Sequence, residues 1–320
     1  MTALEKLAAA IRAAPAMEAK RQLSLVRRLG APVDGDDAAA IAHRGQYLIL
    51  CGEAIQPALV RADPHAAGAA TVVTNVADVR AMGGRPVGLV DMLVSPDRDH
   101  AAAVLDGIAW AAGLLGVDVV GGHLTLGQEP ALSASCTGVA TRPLFGRNAQ
   151  PGDELLAAFS LEGRYARGSP FFSSLRDRAP DQLRDDGEAL VEVAERGLVR
   201  AARDVSMPGV AGSLLQLLET AGCGAMLHLE DLPRPSEVTL ERWLLTFPSF
   251  GFLLVAPPGA GDGAAEPFIS RGLACAHCGR LDDTGVLRLT LAGQTAELWN
   301  LRSEPFTHLG REARPPAGSP

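Results

Sequence analysis

The segment from Thr71 to Asp91, TVVTNVADVRAMGGRPVGLVD, constrains the fold of this 320-residue chain more than any other. Its apolar residues recur at helical spacing, which predicts a helix that is buried over most of its surface. Thr71, Asn75 and Asp78 lie three and four residues apart, so they form a polar stripe on that helix. A buried carboxylate needs a partner, either a hydrogen-bond donor, a cation or a metal. The segment then breaks at Gly-Gly-Arg-Pro and continues as a strand.

Strands and long helices alternate around this segment. Apolar runs of strand length occupy 47–51, 87–94, 117–120 and 132–140. Asp63 and Pro64 are suited to open the helix that carries the stripe, and a second periodic helix over 97–115 is closed by Gly116. Residues 2–29 read as two short helices broken near Pro15, followed by a loop. The alternation predicts an α/β or α+β domain with helices on one face of a sheet.

The composition changes to Pro, Gly, Arg and Asn around 142–152, which predicts a domain boundary. We therefore expect one domain over 1–150, a second over 151–310, and a disordered tail over 311–320. Gly163 to Arg184 is rich in Gly, Ser, Pro and charge, and reads either as an ordinary surface loop or as a substrate lid. Helices are predicted at 186–203, 209–221 and 237–246, and strands at 154–159, 225–229, 250–256, 274–281, 286–291 and 295–298.

Charge and composition exclude several classes of partner. The net charge of −8 includes no basic run and only 4% of residues are aromatic, so neither a phosphate-neutralising patch nor a stacking platform for nucleic acid is present. Charged residues interrupt the alanine-rich N-terminus, and no apolar run reaches the roughly 20 residues of a membrane span. We expect a cytoplasmic protein that binds small molecules rather than nucleic acid or membrane.

Adjacent carboxylates occur in the glycine-started loop Gly35-Asp36-Asp37. Two neighbouring carboxylates repel each other unless a cation lies beside them, and hard oxygen ligands near a phosphate suit Mg²⁺. A turn or a helix cap is the alternative reading of such a pair. Asp91 lies inside an apolar strand, so it also needs a hydrogen-bonding or metal partner.

A second glycine-rich sequence, Gly121-Gly122-His123-Leu124-Thr125, follows the apolar run 117–120. Glycines after a strand let the backbone approach a phosphate and direct the next side chain into a cleft. His123 is therefore a candidate site residue, although a lone histidine is more often an ordinary surface or core residue. Of the five cysteines, Cys275 and Cys278 form a Cys-x-x-Cys pair; without a second pair, core packing is favoured over zinc or redox use.

The pattern Asn-x-x-Asp-x-x-Ala-Met-Gly-Gly-Arg-Pro, preceded by Gly-Asp-Asp-Ala-Ala, resembles the AIR synthase-like (PurM-like) superfamily. This superfamily includes aminoimidazole ribonucleotide synthetase, selenophosphate synthetase, thiamine-monophosphate kinase and HypE. The resemblance covers about residues 30–300. It implies a two-domain fold with an N-terminal α/β domain whose strands close a β-barrel across a homodimer, a C-terminal α+β domain, and a cleft between the two.

The resemblance also implies that ATP and Mg²⁺ bind in this cleft. Asp36, Asp37 and Asp78 would hold the metal, and Glu53, which directly follows a strand, is a looser match to a further metal ligand. Asp204 opens a turn before a helix, where backbone amides can meet an anionic substrate. The implied assignments are metal at Asp36, Asp37, Asp78, Glu53 and Asp91; nucleotide at Gly35, Asn75, Asp78, Gly121, Gly122 and Thr125; and catalysis at His123 and Asp204.

Two departures separate the chain from individual members of the superfamily. Met207 stands where thiamine-monophosphate kinase has Asp, and no cysteine occurs in the first fifty residues to match the reactive residue of selenophosphate synthetase. Whether His123 would contact metal or phosphate is open. We therefore predict an ATP- and Mg²⁺-dependent phosphotransferase or ligase of an uncharacterised branch, acting on an unidentified small molecule. The alternatives are a catalytically silent nucleotide-binding accessory protein and, with less support, a Cys275/Cys278 redox protein.

Overall fold

A computed structural model describes residues 1–29, 35–166 and 169–310 of the chain. It divides into two compact units. The first unit comprises Asp37–Pro143 and Leu175–Glu195, and the second comprises the described residues of Met1–Asp36, Leu144–Ser174 and the part that follows Arg196. The units therefore differ from a simple division at residue 150, because the N-terminal helices pack with the second half of the chain and one later helix packs with the first. The predicted tail lies outside the described residues.

The chain begins with helices α1 and α2 and a 3₁₀ segment at Gln22–Leu29, and then enters the first unit. Bounds of these helices and of the first-unit elements up to β5 are α1 Ala3–Arg12, α2 Pro15–Arg21, β1 Ala39–His43, β2 Gln46–Ala54, α3 Pro57–Ala62, α4 Pro64–Ala81, β3 Arg85–Ser95, α5 Arg98–Leu115, β4 Val119–Leu126 and β5 Ala131–Ala140.

Helix α4 confirms the central prediction of the sequence. The carboxylate of Asp63 accepts a hydrogen bond from the backbone N–H of Ala66 at 3.0 Å, and Pro64 occupies the first turn, where its missing N–H costs nothing. The polar stripe of Thr71, Asn75 and Asp78 is buried, as the apolar surroundings required. The helix ends after Ala81, just before the Gly-Gly break.

The first unit contains a five-stranded sheet in the order β1-β2-β5-β3-β4, of which only the β3–β4 pair is parallel. Side chains on one face, such as Ile49, Leu89 and Leu93, are buried, and α4 packs against β2, β3 and β5. We call the opposite face, which includes Leu50 and Met92, the outer face. The sheet is open among the described residues, with β1 and β4 at its edges, so no barrel is closed within one chain.

Two first-unit predictions were wrong. The loop expected after the N-terminal helices contains strand β1, which pairs with β2 through the two-residue turn Arg44-Gly45; both residues have positive φ, as in a type I′ hairpin. The strand expected to end at residue 120 instead runs from Val119 to Leu126. The pair Gly121-Gly122 therefore lies inside a strand and not in a turn after it, and the reason is the side chain of Asp91, described below.

The later segment that joins the first unit is α6, at Pro180–Glu195. The predicted helix over 186–203 was therefore wrong: α6 begins and ends earlier, and residues 201–204 form a strand. The guanidinium of Arg178 donates two hydrogen bonds of 2.8 Å to the carboxylate of Asp186, and both side chains are buried. Arg80 of α4 lies against Gly187, and burial lowers its pKa to about 10 despite the nearby charges of Glu188 and Asp186.

The remaining elements belong to the second unit. A 3₁₀ turn at Gly146–Asn148 is followed by β6 Glu154–Phe159, β7 Arg164–Tyr165, β8 Phe171–Ser173, β9 Ala201–Asp204, α7 Gly209–Ala221, β10 Gly224–His228, α8 Leu240–Leu244, β11 Phe247–Pro248, β12 Gly251–Ala256, α9 Gly261–Ile269, β13 Ala274–Asp282, β14 Val286–Leu291 and β15 Gln294–Asn300. The helix predicted near 237–246 is thus shorter than expected.

A seven-stranded mixed sheet, β15-β14-β10-β13-β6-β12-β9, forms the frame of the second unit. Helix α1 packs against β15: the guanidinium of Arg12 lies 4.1 Å from the centre of the Trp299 ring and donates to the carbonyl of Leu298. Leu4 and Ile11 of the same helix are buried in the core of this unit. The N-terminal residues are therefore an integral part of a core that is otherwise built from the second half of the chain.

The segment predicted as an exposed or mobile loop has defined structure where it is described. Strands β7 and β8 form a three-stranded sheet with β11, and the ring of Phe172 packs edge-on against Trp243 and Tyr165. Arg167 and Gly168 lie outside the described residues. The loop prediction was therefore wrong for most of the segment, because its Gly, Ser and Pro residues flank short strands that bury aromatic side chains.

The Cys-x-x-Cys pair lies in β13 and supports the packing interpretation. Cys278 is fully buried, and its thiol lies 3.7 Å from the carbonyl of Leu155. Burial raises the pKa of Cys275 to about 12 and raises that of Cys278 further, so both are protonated thiols at neutral pH. Within the described parts of the chain, no helix has the length and apolar character needed to span a membrane.

Candidate functional site

The first unit brings two of the predicted metal ligands together. Asp37 lies just before β1 and is half-buried, whereas Asp78 lies on α4 and is 6% exposed. Carboxylate oxygens of the two residues lie within 4.8 Å of each other. Two carboxylates at this separation repel each other unless a cation or a proton is shared between them. The loop and the helix were each identified from the sequence, but only the fold shows that their side chains meet.

Asp78 lies beside two buried thiols that sequence analysis did not connect with it. Cys51 of β2 and Cys136 of β5 are direct cross-strand partners on the face that α4 covers. Burial is the main reason that the pKa of Cys136 rises to about 11, and the charge of Asp78 raises it further. The pKa of Cys51 rises for the same two reasons. The alternation of buried residues along β2 was the signal that could have placed Cys51 on this face.

Asn75 is fully buried, one turn before Asp78. Its side-chain amide donates a 2.9 Å hydrogen bond to the carbonyl of Thr71, and its amide oxygen lies 3.5 Å from the thiol of Cys51. Part of the polar stripe thus has partners within the first unit itself. The predicted role of Asn75 in nucleotide binding stays a prediction, and it would require the amide oxygen to accept from or yield to a ligand.

The two other predicted carboxylates lie in one row across the sheet. Glu53 of β2 is opposite Ala134 of β5, Ala134 is opposite Asp91 of β3, and Asp91 is opposite Gly122 of β4. Directly opposite residues project from the same face of a sheet, so this carboxylate row lies on the face that carries Cys51 and Cys136. The middle and end positions of the row are small residues, and they leave room above the sheet around the carboxylate of Asp91.

Asp91 explains why Gly122 is a glycine. A Cβ on Gly122 would lie 2.1 Å from the carboxylate oxygen Oδ1 of Asp91 and 2.8 Å from its Cγ. By contrast, a Cβ on Gly121 would lie 3.8 Å from its nearest neighbour, a methyl group of Val90, which is an ordinary contact. The two glycines therefore have different roles. Gly122 makes room for a buried acidic side chain, and the structure imposes no comparable restriction on Gly121.

Burial raises the pKa of Asp91, which is 6% exposed, and a hydrogen bond from its own backbone opposes the shift only in part. A raised pKa in the folded state means that the charged form destabilises the fold, and that this penalty is complete above the folded-state pKa and absent below the unfolded-state pKa. In EDTA at pH 7.5, Asp91→Asn should therefore raise the free energy of unfolding by roughly 1 kcal/mol. The gain should disappear as the pH falls towards 4, measured by denaturant titration. An equal gain at both pH values would contradict this assignment.

His123 and Thr125 project from the opposite side of the same strand. His123 is opposite Met92 and Thr125 is opposite Val94, so they share the outer face with these apolar residues. Both are exposed, and they line an open cleft of about 430 Å³ at this end of the sheet. The structure therefore places Asp91 and His123 on opposite faces of the sheet, although they were predicted to serve one site.

The remaining predicted residues belong to the second unit. Gly35 has φ +78°, and its carbonyl accepts a 2.8 Å hydrogen bond from the buried guanidinium of Arg203. The carboxylate of Asp36 accepts a 2.8 Å hydrogen bond from the backbone N–H of Gly146, at the start of the 3₁₀ turn. Asp204 is buried at the end of β9. Asp36 and Asp37 are adjacent in sequence, yet the division between the two units falls between them.

Both halves of the chain match family models. Residues 35–140 match the AIR synthase related protein, N-terminal domain, and residues 170–292 match the AIR synthase related protein, C-terminal domain. The chain belongs to this family. An uncharacterized protein of Synechocystis sp. is 35% identical over 275 residues, which are 85% of each chain. The resemblance inferred from the sequence motifs is thus confirmed.

Two solved structures show the fold of this AIR synthase related chain. PurL of T. maritima, solved with ATP, gives a TM-score of 0.72 at 21% identity and covers 84% of this chain and 46% of the PurL chain. AaThiL, solved with AMPPCP and TMP, gives a TM-score of 0.66 at 19% identity and covers 86% and 94% of the two chains. The chain thus spans about half of that PurL, and it also spans less than half of the curated PurL subunits that it matches. The two-domain PurM-like fold of mixed α and β structure is confirmed.

Proposed function

We propose that this protein is an ATP- and Mg²⁺-dependent phosphotransferase or ligase that acts on a small molecule. The observation that carries the proposal is the close pair of Asp37 and Asp78 carboxylates, placed by a loop and a buried helix of an AIR synthase related domain. The fold neighbours solved with ATP and with AMPPCP support nucleotide binding. The acceptor molecule is not identified by these observations.

The donor set fits magnesium. Carboxylate oxygens are hard ligands, and Mg²⁺ in nucleotide sites is commonly held by one or two carboxylates together with phosphate oxygens and water. Asp37 and Asp78 supply two such carboxylates within 4.8 Å of each other. The thiols of Cys51 and Cys136 lie nearby, but their raised pKa values keep them protonated, so they do not offer the soft thiolate ligands that zinc prefers. The chemistry of the site therefore favours Mg²⁺ over zinc.

The role of the protein in such a reaction is mainly to bind and to orient. Asp37 and Asp78 would hold Mg²⁺, which supplies neutralisation of the charge that develops on the phosphates during transfer. The burial of Asp78 fixes its side chain, and a fixed ligand loses little orientational freedom when the nucleotide binds. Asp204, predicted as a catalytic residue, stays a prediction that a substitution by asparagine can test. A ligase would use the same phosphorylation to activate an oxygen of the acceptor.

Calorimetry tests the proposal directly. Without a cation, the carboxylates of Asp37 and Asp78 should repel the triphosphate, so ATP should bind at least tenfold more tightly in Mg²⁺ than in EDTA. The same titration with AMPPCP excludes heat from hydrolysis. Equal ATP affinity in EDTA and in Mg²⁺, or no binding in either, would overturn the assignment. If binding is confirmed, release of ADP in the presence of candidate acceptors then identifies the reaction.

We also propose that two copies of the chain associate through the outer face. Ile41, Leu50 and Val120 are exposed on the sheet, Val120 to 68%, and β4 presents an unpaired edge beside them. Apolar residues next to an open sheet edge favour association with a second chain. A second copy is the proposed partner, because the superfamily resemblance implies a barrel shared across a homodimer.

Light scattering at micromolar concentration should therefore give the mass of a dimer. Val120→Lys combined with Leu50→Lys should weaken the dimer at least tenfold, because both substitutions bury charge without a partner. Leu105→Lys is the matched control, since Leu105 is a similarly exposed leucine on α5 rather than on the outer face. A monomeric unmodified protein would contradict the prediction.

A catalytically silent accessory protein is the second candidate. It is favoured by the environment of Asn75, whose amide is already bonded to Thr71, and by Met207 in place of a kinase aspartate. His123 separates the two candidates. In an enzyme, His123→Ala should lower the rate of ADP formation more than it lowers ATP affinity, because a site residue matters most as charge develops. The control is His43→Ala, at an exposed position on β1. If no acceptor yields ADP, the accessory function is supported instead.

A further inference from the structure

The cleft beside His123 adjoins the carboxylate row residue by residue. The row consists of Glu53, Ala134, Asp91 and Gly122. The cleft is lined by the next residue beyond each of them towards the same end of the sheet, which are Ala54, Ser133, Met92 and His123. The row and the cleft therefore lie at the same end of the sheet, with the row on the helix-covered face and the cleft on the outer face.

The chemistry of the cleft is unusual for a superfamily that handles phosphates. Ile55, Met92 and Val94 provide apolar walls, while Gln56, His123 and Thr125 offer hydrogen-bonding groups. Of the residues that the structure describes, no Lys, Arg, Asp or Glu lines the cleft, and His123 is the sole titratable side chain there. Its volume of about 430 Å³ is within the range of roughly 300–1,000 Å³ that is typical of small-molecule sites.

These features determine which ligands the cleft can hold. A phosphate or carboxylate would lose water on entering and would meet no lysine or arginine, so its desolvation would not be compensated. A neutral hydroxyl or amide can exchange its water for hydrogen bonds to Gln56, Thr125 or His123. An apolar body would gain from contact with Met92 and Val94.

We propose that this cleft binds the acceptor and that the acceptor is an uncharged molecule with an apolar body and a hydroxyl or amide group. This inference rests on the proposed function for the word acceptor, but the binding preference itself does not depend on ATP. It differs from the substrate class suggested by AaThiL, which was solved with TMP. The row of small residues Gly52, Ser135 and Gly121 separates the cleft from Leu50 and Val120, where the second copy is proposed to bind.

Methyl NMR of the unmodified protein, without nucleotide, tests the preference. The chain has six methionines, and the ¹³C-methyl signal of Met92 is assigned by its loss in Met92→Leu. The probes are 2-phenylethanol and 2-phenylethyl phosphate, which share an apolar body and differ in charge. We expect 2-phenylethanol to shift the Met92 signal and to bind at least tenfold more tightly than the phosphate ester. The buried Met17 of the second unit is the internal control and should not shift.

A pair of substitutions at one position isolates charge from bulk. Ser133→Arg places a cation in the cleft and should reverse the preference towards the phosphate ester, whereas Ser133→Gln, similar in length but neutral, should keep it. Equal or tighter binding of the phosphate ester to the unmodified protein, or no shift of Met92 with either probe, would overturn the proposal. Because nucleotide is absent, these results are independent of whether ATP binding is confirmed by calorimetry.

Discussion

Gly122→Ala is expected to destabilise the first unit by about 2–3 kcal/mol, the upper part of the range for overpacking a filled site. The added Cβ would lie 2.1 Å from Oδ1 of Asp91 and 2.8 Å from both its Cγ and its backbone oxygen. The carboxylate can be displaced, but the backbone oxygen belongs to the neighbouring strand and cannot move without disturbing the β3–β4 pairing. Denaturant titration followed by circular dichroism measures the loss.

The neighbouring glycine provides the matched control for this substitution. Gly121→Ala adds the same methyl group to the same strand, where its nearest neighbour is 3.8 Å away, so its effect should stay within about 0.5 kcal/mol. The double variant Gly122→Ala with Asp91→Ala should recover part of the lost stability, because it removes the side-chain clash but keeps the clash with the backbone oxygen. Equal stability of the two glycine variants would show that Asp91 does not occupy the space above Gly122.

Asp78→Asn is expected to weaken binding of Mg·ATP at least 100-fold, since loss of a group that merely supports a metal ligand already costs roughly 10–100-fold. Asparagine keeps the shape of the side chain but removes the charge that a cation requires. Asp37→Asn should have a smaller effect, because this residue is half-buried and water can replace it more easily. Calorimetry with Mg·AMPPCP measures both affinities.

Two controls keep the result for Asp78 interpretable. Asp106→Asn removes one negative charge from an exposed position on α5 of the same unit and should leave Mg·ATP affinity unchanged. The melting temperature of Asp78→Asn should not fall, because removing one of two repelling carboxylates does not destabilise the unit without metal. A folded Asp78→Asn variant that binds Mg·ATP like the unmodified protein would refute the proposed magnesium site.

Local sequence patterns predicted those elements whose residues interact with near neighbours in the chain. Helix α4 was predicted because its cap, its apolar period and its Gly-Gly end are all local. The end of β4 was predicted wrongly because the cause lies on another strand: Gly122 accommodates Asp91, and two glycines in succession otherwise indicate a turn. The hairpin turn at Arg44-Gly45 was missed because arginine is not a typical residue for positive φ.

The candidate site shows the same limit at the level of side chains. Asp37 and Asp78 were each identified from their sequence context, and their proximity followed only from the superfamily resemblance until the fold placed them within 4.8 Å. Asp36 has the same local context as Asp37, yet it hydrogen-bonds to Gly146. The partners of Asn75 and the opposite orientations of Asp91 and His123 depend on strand register, which a single sequence does not specify.

The position of α1 affects the order in which the protein can fold as it is synthesised. Arg12 reaches Leu298, 286 positions later, so the N-terminal helix has no docking surface until β15 has left the ribosome. The first unit needs nothing beyond Glu195 and can fold well before that point. During most of translation the apolar face of α1 is therefore exposed. We expect the nascent chain to bind chaperones through this helix, and the growing chain to become protease-resistant first between Asp37 and Glu195.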